Sequence, residues 1–207
     1  MLSLKHNFVF IHIPKTGGNS IQTIIEPFTE DRRLKAVPDH DLTNRFAVYG
    51  PVTNRKHCTS AEYIEKLGLE KFMTLKRVTF VRNPLDRALS WYFSPHRWVH
   101  KMSYGQLPAF KMDKKEFGRL LEKMTTESSF LRNGTNLIPF DFVGRYENFE
   151  PDVRKMLDVC GLPPHDGVLP HFNQGFPDKR RFCDRELIRM VRKKFAEDYV
   201  TFNYDPD

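Results

Sequence analysis

Apolar residues fall into a few short runs, and the spacing changes wherever glycine, proline or asparagine intervenes. Phe8 to Ile13 is apolar except for His12, which predicts a buried strand over residues 7–13. Past Gly17-Gly18 the apolar positions become Ile21, Ile24 and Ile25, a helical spacing that predicts a helix over 18–27, ended near Pro27. Residues 28–56 are irregular and basic, with a candidate strand at Phe46–Tyr49. Thr59-Ser60-Ala61-Glu62 fits a capping box that opens a helix stopping at Gly68. Leu75 to Val81 reads as a second strong strand. Asn83-Pro84 follows as an N-cap with proline at the first helical position, and the helix runs through Trp91 and Tyr92.

Residues 94–112 read as a long aromatic and basic loop, and Asp113 caps a helix reaching Met124. Phe140–Tyr146 is a third strand, 148–159 a helix closed by Gly161, and 162–183 a proline-rich loop. From Asp184 a last helix carries Leu187, Ile188, Val191 and Phe195 on one face. Alternating strands and helices predict an α/β fold: one domain over 1–207, a three-layer sandwich with a central parallel sheet flanked by helices. Ligands then bind at the carboxyl ends of the strands.

Composition narrows the partners. Lys and Arg outnumber Asp and Glu by 33 to 26 in 207 residues, which suits an anionic ligand or serves solubility alone. Three scattered cysteines, Cys58, Cys160 and Cys183, indicate neither a disulfide framework nor a zinc site. No apolar run approaches the ~18 residues of a membrane helix, and Phe8–Ile13 lacks a signal-peptide cleavage site. The expectation is a soluble, cytoplasmic chain, or a lumenal Golgi enzyme if an anchor is missing.

The strand, glycine turn and helix start around Pro14-Lys15-Thr16-Gly17-Gly18-Asn19-Ser20 aim backbone N–H groups and a positive helix end at one point. That suits phosphate or sulfate. The loop is not a Walker A loop, because Lys15 precedes the glycines. A second loop, Val81-Arg82-Asn83-Pro84, places Arg82 at a strand exit and Ser90 about two turns into the following helix.

With these two loops, the Gly144-Arg145-Tyr146-Glu147-Asn148 strand exit and the late His171-Phe172-Asn173 loop, the chain resembles the sulfotransferases that use 3′-phosphoadenosine 5′-phosphosulfate. It looks closest to the carbohydrate sulfotransferases of the heparan and chondroitin type and their small bacterial relatives. The resemblance implies a P-loop-like nucleotide-binding fold in which Pro14, Lys15, Thr16, Gly17, Gly18, Asn19 and Ser20 hold the 5′-phosphosulfate. It implies Arg82 and Ser90 on the 3′-phosphate, with Arg180 and Arg181 in a loop closing over the nucleotide. Asn19 stands where the family usually has threonine.

In-line transfer to an acceptor hydroxyl rests on positioning and charge, leaving adenosine 3′,5′-bisphosphate and requiring no metal. The base is assigned to His57, which precedes a helix start and matches the family's histidine there; Lys15 is the catalytic cation. His12, inside the first strand, is expected to be a buried, satisfied histidine. Acceptor contacts are expected from His96, Arg97 and Trp98, and from Arg32, Arg33, Lys35, Arg45, Arg55 and Lys56. The acceptor is read as a glycan, with no nucleic acid partner. Two other readings stand beside this one: a non-catalytic polyanion-binding module on the same fold, and a nucleotide-dependent kinase.

Overall fold

A computed structural model describes residues 1–35, 46–94, 112–170 and 178–206. In chain order the elements begin with β1 (Leu2–Ser3), β2 (Phe8–Ile11), α1 (Gly18–Ile25), β3 (Arg32–Lys35) and β4 (Phe46–Tyr49). Then come α2 (Ser60–Leu67), α3 (Leu69–Thr74), β5 (Lys76–Val81), α4 (Pro84–Tyr92), α5 (Lys114–Lys123) and α6 (Glu127–Phe130). The last are β6 (Arg132–Asn133), β7 (Asn136–Leu137), β8 (Phe142–Arg145), α7 (Phe149–Val159), α8 (Arg185–Lys194) and α9 (Ala196–Thr201). The described residues divide into two compact units, one of 1–35, 46–82 and 127–170, the other of 83–94, 112–126 and 178–206.

The first unit holds a four-stranded sheet in the order β1-β2-β5-β8. Strands β2, β5 and β8 are parallel, with Phe10 opposite Val78 and Val78 opposite Phe142. The α/β fold expected from the alternation is what the chain adopts. The edge differs: β1 pairs antiparallel with β2, because the chain turns back at Asn7 (φ 56°) within a few residues, too few for a crossover helix.

All four residues of β2 are buried, as parallel strands covered on both faces require. Phe8, Phe10, Val78 and Phe80 form one core with Ile21, Ile24 and Ile25 of α1 and Phe149, Val153, Met156 and Leu157 of α7. Thr79 ties β5 to β2 from within, its hydroxyl donating to the Ile11 carbonyl at 2.8 Å. The Thr59 capping box is present: the Glu62 amide donates to Thr59 Oγ1 at 3.2 Å and the Thr59 amide to Glu62 Oε2 at 2.8 Å. The candidate strand at Phe46–Tyr49 is β4, and its hairpin partner β3 emerges from the segment read as irregular.

The second unit has its own core, with Leu85, Ala88, Leu89 and Tyr92 of α4 against Phe117 and Leu121 of α5 and Leu187 and Val191 of α8. Asn83 caps α4, its Oδ1 accepting from the Leu85 amide at 3.0 Å, and Asp113 and Asp184 cap α5 and α8 as their positions predict. Arg87 is fully buried and donates through both terminal nitrogens to the Thr125 carbonyl at 3.0 Å.

Candidate functional site

The turn from β2 into α1 is built from backbone constraints. Gly17 is the N-cap of α1 in the left-handed region at φ 83°, with no side-chain cap; the Ser20 amide donates to the Gly17 carbonyl at 3.0 Å, and the amides before it have no intrahelical acceptor. A Cβ on Gly17 would lie 2.6 Å from Phe149 Cε2 and 3.1 Å from Tyr146 Cδ2, so the turn rests on two aromatic edges. Thr16 is fully buried, and its hydroxyl donates to the Ile13 carbonyl at 2.8 Å. That hydroxyl fastens the turn.

Lys15 also lies at positive φ, 73°, a conformation that costs a non-glycine residue on the order of 1–2 kcal/mol. Arg82 holds it there: its Nη1 donates to the Lys15 carbonyl at 3.3 Å, and its guanidinium lies 3.9 Å over the Tyr146 ring. The Arg82 amide donates to Oε1 of Glu127, a fully buried carboxylate, at 3.0 Å. Loop, strand exit and the start of α7 therefore form one stacked assembly: turn on Tyr146 and Phe149, Arg82 on Tyr146, Glu127 behind Arg82.

His57 stands on the other side of the turn. Its Nδ1 is 3.0 Å from the His12 carbonyl. A carbonyl only accepts, so Nδ1 carries a proton, and in the neutral ring the lone pair is on Nε2. The two imidazole centroids are 4.3 Å apart at 55°. His12 is buried as expected; its side chain interacts with that of Gln22, but its Nδ1 makes no well-aligned hydrogen bond. Burial, then the neighbouring His57 and Lys56, hold its pKa well below the usual value, so it is neutral.

Lys56 adds a second ammonium. Its Nζ sits 3.6 Å over the Phe46 ring, and burial, then Arg33 and Lys15, lower its pKa to about 8. The unfolded chain keeps this proton to about 10.5 and the folded chain releases it near 8, so folding is penalised below pH 8 and the penalty fades between the two values. Lys56→Met is expected to raise stability on the order of 1–3 kcal/mol at pH 7. The gain over wild type should shrink as pH rises from 8 to 10.5, as measured by denaturant midpoints; a pH-independent difference would show that Lys56 titrates normally.

Several expected cations are already engaged. Arg33 donates from Nε to Glu26 at 2.6 Å and from Nη1 to Thr23 at 2.6 Å, and Arg55 pairs with Glu62. In the second unit Arg180 forks onto Asp86 with two bonds of 2.8 Å, Arg181 lies over Phe182, and Ser90 is half-buried on α4. His96, Arg97, Trp98, Arg45, His171 and the Lys35 side chain lie outside the described residues.

A model of the sulfotransferase family matches residues 1–205. The chain belongs to the sulfotransferase family. The crystal structure of a sulfotransferase from Alicyclobacillus acidocaldarius matches at 19% identity and a TM-score of 0.30, covering 69% of this chain. The chain spans 62% of the length of that protein. No curated protein matches it. Among the described residues no cluster of His, Cys, Asp and Glu could hold a metal ion, and no helix is long and apolar enough to cross a membrane.

For a sulfotransferase the informative residues that sequence reasoning left without a role are Tyr146, Phe149 and Glu127. Tyr146 carried a signal, since it stands in the strand exit that supports the family resemblance. Glu127 carried none: only the fold sets a carboxylate of α6 behind Arg82.

Proposed function

We propose that this chain transfers the sulfuryl group of 3′-phosphoadenosine 5′-phosphosulfate to a hydroxyl of a carbohydrate acceptor. One observation carries the reading. The glycine turn that presents Lys15 also touches the histidine pair, because Gly18 abuts the His12 ring and that ring abuts His57. Anion grip and proton acceptor are thus next to each other, as transfer to a hydroxyl needs.

The residues present fit the donor. The two glycines let the turn pack closely, Gly17 on Phe149 and Tyr146 and Gly18 on His12, and it ends at a helix N-terminus, where an anion gains from amides and dipole together. Lys15 and the amides of Gly17, Gly18 and Asn19 would hold the phosphosulfate, with Pro14, Thr16 and Ser20 shaping the loop, and Lys15 would stabilise charge that grows on the departing phosphate oxygen. Arg82 would offer its outward N–H groups to the 3′-phosphate, where a planar fork matches phosphate oxygens better than an ammonium does. We extend the nucleotide contacts to Ser90, Arg180 and Arg181. When bound, the donor supplies an activated sulfuryl group with a phosphate as leaving group. His57 Nε2 would take the acceptor proton, its tautomer set by the His12 carbonyl. Arg32 and Tyr49, opposite each other on the hairpin and both exposed, offer an acidic sugar a cation and an aromatic face.

Titration calorimetry tests the donor assignment. Adenosine 3′,5′-bisphosphate is expected to bind about 10- to 100-fold more tightly than ADP or AMP, the gain from one charge-assisted phosphate contact. Arg82→Ala should erase that preference. Equal affinity for the three nucleotides would remove the donor, and a preference for ADP would favour a kinase.

A further inference from the structure

His12 is a buried polar group that the proposed chemistry does not use. It is 3% exposed and interacts with the fully buried Gln22 side chain of α1, yet its Nδ1 and both Gln22 amide atoms lack a well-aligned hydrogen bond. An unpartnered buried polar atom typically costs about 1–3 kcal/mol, so an aliphatic residue in this strand would make a more stable core. The cost calls for a reason.

The two glycines of the turn differ in a way that supplies one. Gly17 is required by its backbone, at φ 83°. Gly18 is not among the positive-φ residues. What excludes a side chain at 18 is His12: a Cβ there would lie 2.0 Å from His12 Cδ2 and 2.1 Å from Nε2. The ring therefore fills a slot with Phe10 stacked on it at 6.0 Å and 18°, the Gly18 backbone against its edge, and His57 at 4.3 Å. A flat ring in such a slot is flanked on both faces and along one edge.

We infer that His12 is a positioning residue that braces His57 against the Gly18 turn, its carbonyl setting the tautomer and its ring setting the plane of the base. This rests on His57 being the proton acceptor, but the brace itself is independent of that role. Residue 18 is glycine to admit this ring, so turn and base move as one body.

Long-range ¹H–¹⁵N correlation spectra of the imidazoles test the brace without acceptor or donor, with His57→Gln assigning the signals. Wild-type His57 is expected as a single Nδ1–H tautomer. In His12→Ala the carbonyl remains but the brace is gone, and the His57 signals should become those of exchanging tautomers. Gly18→Ala, which drives the ring towards His57, should shift them too, and it keeps the test open if His12→Ala does not fold. Unchanged His57 signals in either folded variant would overturn the inference. In turnover, His12→Ala should lose about 10- to 100-fold in kcat, with affinity for adenosine 3′,5′-bisphosphate within a few-fold. The loss from Gly18→Ala should be partly recovered in the double variant, whose methyl meets no ring; losses that simply multiply would count against the brace. If His57→Gln retains full turnover while the spectra behave as described, the base assignment fails and the brace stands.

Discussion

His57→Gln is expected to lower kcat by about 10²–10⁴, the range in which general base catalysis contributes. Affinity for adenosine 3′,5′-bisphosphate should stay within a few-fold of wild type. Nδ1 is committed to the His12 carbonyl, so the lone pair available for chemistry is on Nε2, and glutamine offers an amide of similar reach that cannot take a proton. The measurement is turnover with labelled donor over a panel of glycans, beside calorimetry of the nucleotide. A variant with normal turnover would move the base to another residue. A variant that loses both turnover and nucleotide binding would mean that His57 supports the turn rather than the reaction.

Lys15→Ala should cost about 10²–10³ in kcat, the usual effect of removing one group aimed at developing charge. Nucleotide affinity should fall by a smaller factor, about tenfold, because the helix start and Arg82 remain. Lys15→Arg is not expected to restore activity. The backbone at 15 is held at φ 73° by the bond from Arg82, which fixes where the side chain departs, and a planar fork set from that point cannot reproduce a compact ammonium. Single-turnover rates with saturating donor give the chemical step directly. A Lys15→Ala loss confined to KM would assign Lys15 to binding alone.

Much of the first unit was legible because its signals are local. The apolar run at Phe8–Ile11 and the Thr59 box, and in the second unit the Asn83-Pro84 start and the Asp113 and Asp184 caps, each depend on residues within a turn of one another. The shorter elements had no such pattern. Strand β3 is Arg32-Arg33-Leu34-Lys35, polar enough to pass as loop, and it exists because β4 pairs with it. Helix α3 hides behind Gly68, which serves as C-cap of one helix and N-cap of the next. The glycine turn was visible in its residues, and the helix that follows it begins at Gly18 as expected.

What sequence could not show is how distant groups meet. His12 and His57 share a bond across 45 positions, Arg82 reaches Lys15 across 67, and Arg180 is taken up by Asp86 across 94. Arg180 and Arg33 looked alike as basic residues open to ligands, yet each has a carboxylate bound to it. The pairing depends on which surfaces the fold brings together, and spacing carries no trace of it.

The left-handed backbone at Lys15 has a bearing on evolution and engineering. Glycine would sit there without steric penalty, so heat resistance alone rewards discarding the ammonium that the proposed reaction uses. A library ranked only by melting temperature would drift towards a sturdier, inert protein at this position. The lysine persists only where turnover is what survives the selection.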